Sequence, residues 1–151
     1  MGTDPLELKD AVGSSSRILY LADNAGETVF DRKFLEQFPP GRVTVAVRGA
    51  PALNDATIED ARKAGLHRVA KLMDNGSGAP ATVLSDCSAA FRRIFDEADL
   101  IVAKGQGNYE SLSSSAANIY FLFRVKCRLV EGHCGHPMGS LVLHHSTESG
   151  S

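Results

Sequence analysis

The chain has 151 residues, about the length of one domain. Its composition of 43% hydrophobic and 23% charged residues is ordinary for a globular protein, and a net charge of -2 gives no sign of a nucleic-acid-binding surface. No apolar stretch is long enough to cross a membrane, the N-terminus lacks a signal-peptide pattern, and the three cysteines form no paired framework, so we expect a cytoplasmic protein.

The two ends of the chain differ in composition from its middle. Residues 1–16 contain little apolar material beyond one or two potential helical turns and end in a glycine–serine joint, which predicts a flexible N-terminal segment. Residues 17–145 carry the apolar runs of a folded domain. The polar residues 146–151 are predicted to form a disordered tail.

The first apolar run predicts a buried strand followed by a helix. Ile18 to Ala22 are apolar without alternation, which is typical of a strand buried on both faces. The run stops at Asp23 and Asn24, and a helix is predicted from Glu27 to Phe38. The apolar residues that recur at helical spacing and should face the core are Val29, Phe30 and Phe34.

The remaining pattern alternates between strands and helices. Further strands are predicted over residues 42–48, 67–72, 100–103, 119–125 and 141–143, and helices over residues 58–64 and 86–98. A loop rich in glycine and histidine is expected before the last, short edge strand. Strand and helix alternate about five times, which predicts a three-layer α/β fold with a mostly parallel sheet.

Polar side chains follow three of the predicted strands directly. Asp23 and Asn24 follow the first strand, Arg48 and then Asn54–Asp55 follow the second, and Lys104–Asn108 follow the strand at residues 100–103. The carboxyl ends of parallel strands lie along one edge of a sheet. Carboxylates with an amide suit Mg²⁺ or Mn²⁺, and a lysine beside glycine-rich backbone suits a phosphate. This combination indicates phosphoryl transfer or phosphate-ester hydrolysis.

Simpler interpretations of the same residues stay open. The acidic and amide side chains also suit helix caps, and Lys104 also suits a solvated strand end. Glu27 and Asp31 lie one helical turn apart, where solvated helix charges are the favoured interpretation over support for a site. Four residues are of zinc-ligand types without a standard zinc spacing: Cys127, His133, Cys134 and His136.

Three sequence blocks resemble, in family order, the metal-dependent damage-control phosphatase family. This family was long a domain of unknown function, and a carboxyl methyltransferase activity was once proposed for some of its members. The blocks cover residues 21–27, 47–57 and 104–110, within a resemblance that runs from about Ile18 to Leu143. The chain is most similar to the short archaeal and bacterial branch, and most of the helical N-terminal region of other members is missing.

The resemblance implies a Rossmann-like domain that binds one divalent ion (Mg, Mn, Co or Ni) and hydrolyses phosphate monoesters of small metabolites. Sugar phosphates and phosphopantetheine derivatives are the implied substrate classes, cleared as damaged or surplus metabolites. By motif match, the catalytic metal ligands would be Asp23, Asn24 and Asp55. The residues implied to hold the substrate phosphate are Lys104, Gly105, Gln106, Gly107, Asn108 and, as a weaker candidate, Arg48.

Two other functions remain as alternatives. One is a non-catalytic module that binds a metal or a phosphorylated metabolite. The other, less favoured, is an S-adenosylmethionine-dependent carboxyl methyltransferase, for which the glycine-rich first turn and the acidic end of the second strand are missing. A small phosphorylated metabolite is the expected partner, a homo-oligomer stays open, and neither nucleic acid nor membrane is expected.

Overall fold

The structure, a computed structural model, describes residues 2–147. Its strands are β1 (Ile18–Leu21), β2 (Val43–Val47), β3 (Lys71–Asp74), β4 (Leu100–Lys104), β5 (Ile119–Arg124) and β6 (Leu141–His145). Its helices are α1 (Pro5–Ser14), α2 (Thr28–Leu35), α3 (Ile58–Lys63), α4 (Ala89–Glu97), α5 (Gln106–Leu112) and α6 (Arg128–Cys134). Short 3₁₀ turns cover Ala25–Glu27, Leu66–Arg68 and Leu84–Asp86.

All six strands belong to one sheet, in the order β3-β2-β1-β4-β5-β6. Every neighbouring pair is parallel except β5 and β6, which are antiparallel. Helices cover both faces of the sheet, so the predicted three-layer, mostly parallel α/β architecture is confirmed. The carboxyl ends of β1, β2 and β4 lie side by side, because β1 is paired with both of the others.

The first strand lies at the centre of the core. All four residues of β1 are buried, and they alternate between the two hydrophobic clusters on opposite faces of the sheet. Ile18 and Tyr20 join one cluster, and Leu19 and Leu21 join the other. Within residues 2–147, no helix combines the length and the apolar character needed to cross a membrane.

The N-terminal segment, predicted to be flexible, contains the ordered helix α1. The Asp4 side chain accepts a hydrogen bond from the Leu6 amide and so caps the helix, and Pro5 occupies its first turn. Leu8 and Val12 recur at helical spacing and are buried against the sheet, which is the contact that the prediction missed. At the other end, the Ser146 hydroxyl donates to the Ala117 carbonyl, while residues 148–151 of the predicted tail lie outside the described residues.

Helix α2 presents a different face to the core than its apolar pattern predicted. Val29 and Phe30 are exposed, and Phe34 is only partly covered. The buried residues are instead Thr28, Asp31 and Leu35. This face of the helix is buried because Asp31 has hydrogen-bond partners on β1 and β4.

Three local predictions are wrong in position or type. The third strand begins at Lys71 rather than at His67, because the preceding residues form a 3₁₀ turn after Gly65. No helix was predicted directly after β4, yet α5 begins there at Gln106. The predicted loop rich in glycine and histidine contains α6, on which Val130 is buried against the sheet and the helix ends at Gly135 in the left-handed conformation.

Candidate metal and phosphate site

Two loops meet at the carboxyl edge of the sheet through paired backbone hydrogen bonds. The Ala25 amide donates to the Asn54 carbonyl and the Ala56 amide donates to the Asp23 carbonyl, both at 2.8 Å. This bridge sets Asn24 opposite Asp55. The structure therefore brings together the three predicted metal ligands, although they are separated by about thirty positions in the sequence.

The end of β4 approaches the same point. Gly105 follows β4 with a φ of +89°, and a Cβ atom at this position would overlap the carboxylate of Asp23. Only glycine combines that backbone conformation with this close approach. Lys104 and its turn are thus packed directly against the first predicted metal ligand.

The carboxylate of Asp23 is poorly compensated within the protein. Burial, together with the neighbouring carboxylates of Asp55 and Glu27, raises the pKa of Asp23 to about 6 against the opposing effect of Arg48 and Lys126. No hydrogen bond to the Asp23 side chain is present within residues 2–147. A partly buried acidic group with acidic neighbours and no donor is suited to a cation.

Asp55 is held in place through one of its two oxygens. Arg48 Nε donates to Asp55 Oδ2 at 2.7 Å, and the Ala81 amide donates to the same oxygen at 3.2 Å. These bonds leave Oδ1 available. Arg48 itself is only 2% exposed and is bonded to Asp55, and its weaker candidate role in holding a substrate phosphate stays a prediction.

Backbone strain accompanies this arrangement. Ala81 has a φ of +61°, and Leu53, two residues before Asp55, has a φ of +53°. Residues other than glycine rarely adopt this conformation, and it persists where the surrounding structure enforces it. The two strained residues lie on either side of Asp55, one donating to its carboxylate and one preceding it in the loop.

Lys104 is held by two carboxylates of the α2 region. Its Nζ donates to Glu27 Oε2 and to Asp31 Oδ1, each at 3.0 Å. Tyr20 on β1 donates its hydroxyl to the same Asp31 oxygen at 2.5 Å. Burial disfavours the ammonium form of Lys104, but Asp31 and Glu27 outweigh this effect and raise the pKa of Lys104 above its ordinary value.

Sequence reasoning missed the role of these partners. Glu27 and Asp31 were expected to be solvated helix charges, whereas Asp31 is buried and both contact Lys104. Their spacing of four residues, one helical turn, was the available signal, since it places both on one face of α2. The apolar residues Val29 and Phe30 instead indicated that the opposite face of α2 packs against the core.

The remaining predicted phosphate-binding residues lie on α5 and contact neighbouring parts of the protein. The Gln106 side chain accepts from the Lys126 amide at 2.7 Å, so it ties α5 to the loop after β5. Gly107 packs closely against Ala81. The side chain of Asn108 is buried, and it donates to the Lys104 carbonyl and accepts from the Thr82 hydroxyl, each at 2.8 Å, so it is bonded to the end of β4.

The donor set fits a hard divalent cation. Across residues 2–147, no three or more side chains of histidine, cysteine, aspartate and glutamate are arranged to hold a metal ion. Two carboxylates are present, and the third oxygen would come from the Asn24 amide, whose Nδ2 donates to Glu27 Oε1 at 3.3 Å. Oxygen ligands of this type suit Mg²⁺ or Mn²⁺ better than zinc.

The zinc-type residues near the C-terminus are engaged in other contacts. The hydroxyl of Tyr109 lies 2.7 Å from His133 Nδ1, and Gln106 Nε2 lies 3.6 Å from Cys127 Sγ. All three cysteines are free thiols. These contacts pack α6 against α5 beside the candidate site.

The candidate site opens to solvent through a cleft of about 750 Å³. Asn24, Glu27 and Asp55 line this cleft, and Pro51 and Leu53 form its other side. Leu53 is largely exposed at the rim. Asp23 and Lys104 do not line the cleft, so it exposes to solvent the side of the candidate site formed by Asn24 and Asp55.

Comparison with known proteins relates the chain to one family. A family model described as the damage-control phosphatase ARMT1-like domain matches residues 3–142. The chain is 38% identical over 143 residues to a damage-control phosphatase of Pyrococcus horikoshii, covering 92% of this chain and 50% of that protein. It is 41% identical over 133 residues to a damage-control phosphatase of Archaeoglobus fulgidus, covering 85% of this chain and 46% of that protein.

A solved structure has the same fold. The crystal structure of a DUF89 family protein from Pyrococcus horikoshii superposes with a TM-score of 0.91 at 36% sequence identity, covering 95% of this chain and 52% of that chain. An uncharacterized protein of Methanocaldococcus jannaschii is 41% identical over 143 residues, covering 91% of this chain and 46% of that protein. The chain thus spans about half the length of the relatives that it matches.

Proposed function

Because this chain belongs to the damage-control phosphatase ARMT1-like family, we propose that it hydrolyses phosphate monoesters of small metabolites with one divalent metal ion. Sugar phosphates and phosphopantetheine-like compounds are the proposed substrate classes, and Mg, Mn, Co and Ni are the proposed ions. The proposed setting is the cytoplasm, in keeping with three free thiols. The proposal leaves the oligomeric state open and includes a homo-oligomer.

One observation carries this proposal: two carboxylates, an amide and a lysine meet at the carboxyl edge of a parallel sheet. The backbone pairing of their two loops brings Asp23, Asn24 and Asp55 together, and their side-chain oxygens would be the ligands of the cation. Lys104 lies on the neighbouring strand, and its turn packs against Asp23. Open α/β sheets bind their ligands at this edge, and a cation beside an ammonium group suits a phosphoryl group.

Some side chains of the site would bind the ion or the phosphoryl group, and others would orient these binding side chains. Asp23, Asn24 and Asp55 would hold the ion, which when bound supplies electrostatic stabilisation of the phosphoryl group as the ester bond breaks. Lys104 would bind a phosphoryl oxygen, with the turn from Gly105 to Asn108 beside it. Arg48 and the Ala81 amide would keep Asp55 pointing toward the ion.

A second candidate function is a non-catalytic module that binds the metal or a phosphorylated metabolite. Its support is the openness of the cleft, since no segment among residues 2–147 encloses a substrate there and Leu53 is exposed at the rim. An enclosed site strengthens the electrostatic interactions that act on a reacting phosphoryl group. Metal and phosphate binding without turnover of any phosphate ester would favour this second function.

Substitution of the carboxylates tests the proposed activity. Hydrolysis of p-nitrophenyl phosphate is followed with Mn²⁺ for the wild type, Asp23→Ala and Asp55→Ala. We expect each substitution to lower turnover about 100-fold or more, because each removes a metal ligand. Asp96→Ala on α4 is the control, since this exposed carboxylate lies outside the cleft and its loss should leave turnover unchanged. Turnover that survives both site substitutions would contradict the proposal.

A further inference from the structure

We propose that Glu27 is a positioning residue that orients the metal-binding and the phosphate-binding halves of the site together. This inference rests on the proposed function. The two oxygens of the Glu27 carboxylate serve different halves: Oε1 accepts from Asn24 Nδ2 at 3.3 Å, and Oε2 accepts from Lys104 Nζ at 3.0 Å. One carboxylate thus joins a predicted metal ligand to the predicted phosphate-binding lysine, and the bond from Glu27 to Lys104 spans 77 positions of sequence.

The first effect of Glu27 is to fix the direction of the Asn24 amide. An ionised carboxylate only accepts hydrogen bonds, so Asn24 must turn its NH₂ group toward Glu27. The amide oxygen of Asn24 then points away from Glu27 and is free to bind a cation. Without Glu27, the oxygen and the NH₂ group of the Asn24 amide could exchange places. In one of the two orientations the NH₂ group, which cannot bind a cation, would face the metal site.

The second effect is to fix the direction of the Lys104 ammonium. This group has three N–H donors, of which Glu27 and Asp31 take one each. Asp31 is a rigid partner, because it is 1% exposed and also accepts from Tyr20. With two donors fixed, the third has a defined direction and remains for an anion. Asp31 alone would leave the ammonium free to pivot.

Glutamine at position 27 is a sharp test of this double role. It has the shape of glutamate but only one acceptor oxygen, so it satisfies either Asn24 or Lys104 and turns an NH₂ group toward the other. Loss of the negative charge by itself would weaken cation binding but strengthen phosphate binding, since a repulsive charge near the anion is removed. Loss of positioning weakens both, and the sign of the phosphate effect separates the two explanations.

The experiment is calorimetric titration of the whole chain with Mn²⁺ alone and with inorganic phosphate in the presence of saturating Mn²⁺. For Glu27→Gln we expect Mn²⁺ affinity to fall about tenfold and phosphate affinity to fall about fivefold. Glu97→Gln is the matched control: the side chains of Glu27 and Glu97 are 41% and 45% exposed, and each pairs with one cation. Both affinities of the control should equal those of the wild type.

The outcomes separate this inference from the proposed function. A wild type that binds neither Mn²⁺ nor phosphate would overturn both. A wild type that binds both, with a Glu27→Gln variant whose phosphate affinity is unchanged or higher, would overturn the role of Glu27 alone. Should Glu27→Gln not fold, Glu27→Asp gives the same test, because the charge stays while the shorter side chain reaches only one of its two partners.

Discussion

Among individual residues, Asp23 dominates the electrostatics of the candidate site. Its carboxylate is partly buried beside Asp55 and Glu27, and its pKa of about 6 lies above the ordinary value of 3.8. The charged form is therefore less favourable in the folded metal-free protein than in the unfolded chain. The folded state binds the proton of Asp23 more tightly than the unfolded chain does, so protonated Asp23 adds to the free energy of unfolding at low pH. This contribution is lost as the pH rises from about 4 through about 6.

Asp23→Asn should therefore stabilise the metal-free protein. We expect the free energy of unfolding at pH 7.5 to rise by about 1 kcal/mol, a value reduced for solvent screening of this partly exposed group, and to be unchanged near pH 3. Urea unfolding in EDTA at the two pH values measures this difference. A variant that is less stable than the wild type at pH 7.5 would show that Asp23 is already compensated within the protein.

Gly105 is a second residue whose identity follows from the site. Gly105→Ala should reduce stability by about 2 kcal/mol and weaken Mn²⁺ binding, because the new methyl group overlaps the Asp23 carboxylate and the φ of +89° is strained for alanine. Gly132→Ala on α6 is the control. It has open space around the added methyl group and should be neutral or stabilising by up to about 1 kcal/mol. Thermal unfolding with a Mn²⁺ titration compares the two, and equal Mn²⁺ affinities would contradict the account.

The sequence predicted some of these residues and not others, for a physical reason. Asp23 and Asn24 lie just after β1, and Asp55 lies in the loop that follows β2; strand ends can be read from apolar runs. The bond between Lys104 and Glu27 spans 77 positions and leaves no local pattern. The burial of Arg48 and its bond to Asp55 are tertiary features that the sequence does not show.

At the scale of elements, two helices differ from what their sequence patterns predicted because of their tertiary contacts. Helix α2 buries Asp31 and exposes Phe30, because Tyr20 and Lys104 supply hydrogen bonds that a carboxylate needs when it is buried. Helix α6 contains Gly132 and His133 and is followed by Gly135, which is a composition that favours loops, yet the burial of Val130 holds it against the sheet. Tertiary contacts decided both cases.

Helix α1 should contribute directly to stability. Leu8 is 6% exposed within the core, whereas Leu6 on the same helix is 63% exposed. We expect Leu8→Ala to lower the free energy of unfolding by about 2–3 kcal/mol and Leu6→Ala to change it by less than about 0.5 kcal/mol. Chemical denaturation measures both. Equal effects would mean that α1 does not pack against the sheet in solution.

At the scale of the whole molecule, the strand order explains why the site forms. Central strand β1 pairs with β2 on one side and β4 on the other, so three separate loops converge where these strands end. Alternation of strands and helices was enough to predict a parallel sheet, while the pairing order and the antiparallel β6 required the structure. Convergence of the three loops is the property on which the proposed phosphatase activity depends.

The most direct test of this convergence is a crystal structure of the protein grown with Mn²⁺ and phosphate, with the anomalous signal of manganese recorded. The account predicts one manganese ion bound by oxygens of Asp23, Asn24 and Asp55, with a phosphate between that ion and Lys104. Manganese bound elsewhere, or at Asp23 without Asp55, would contradict it.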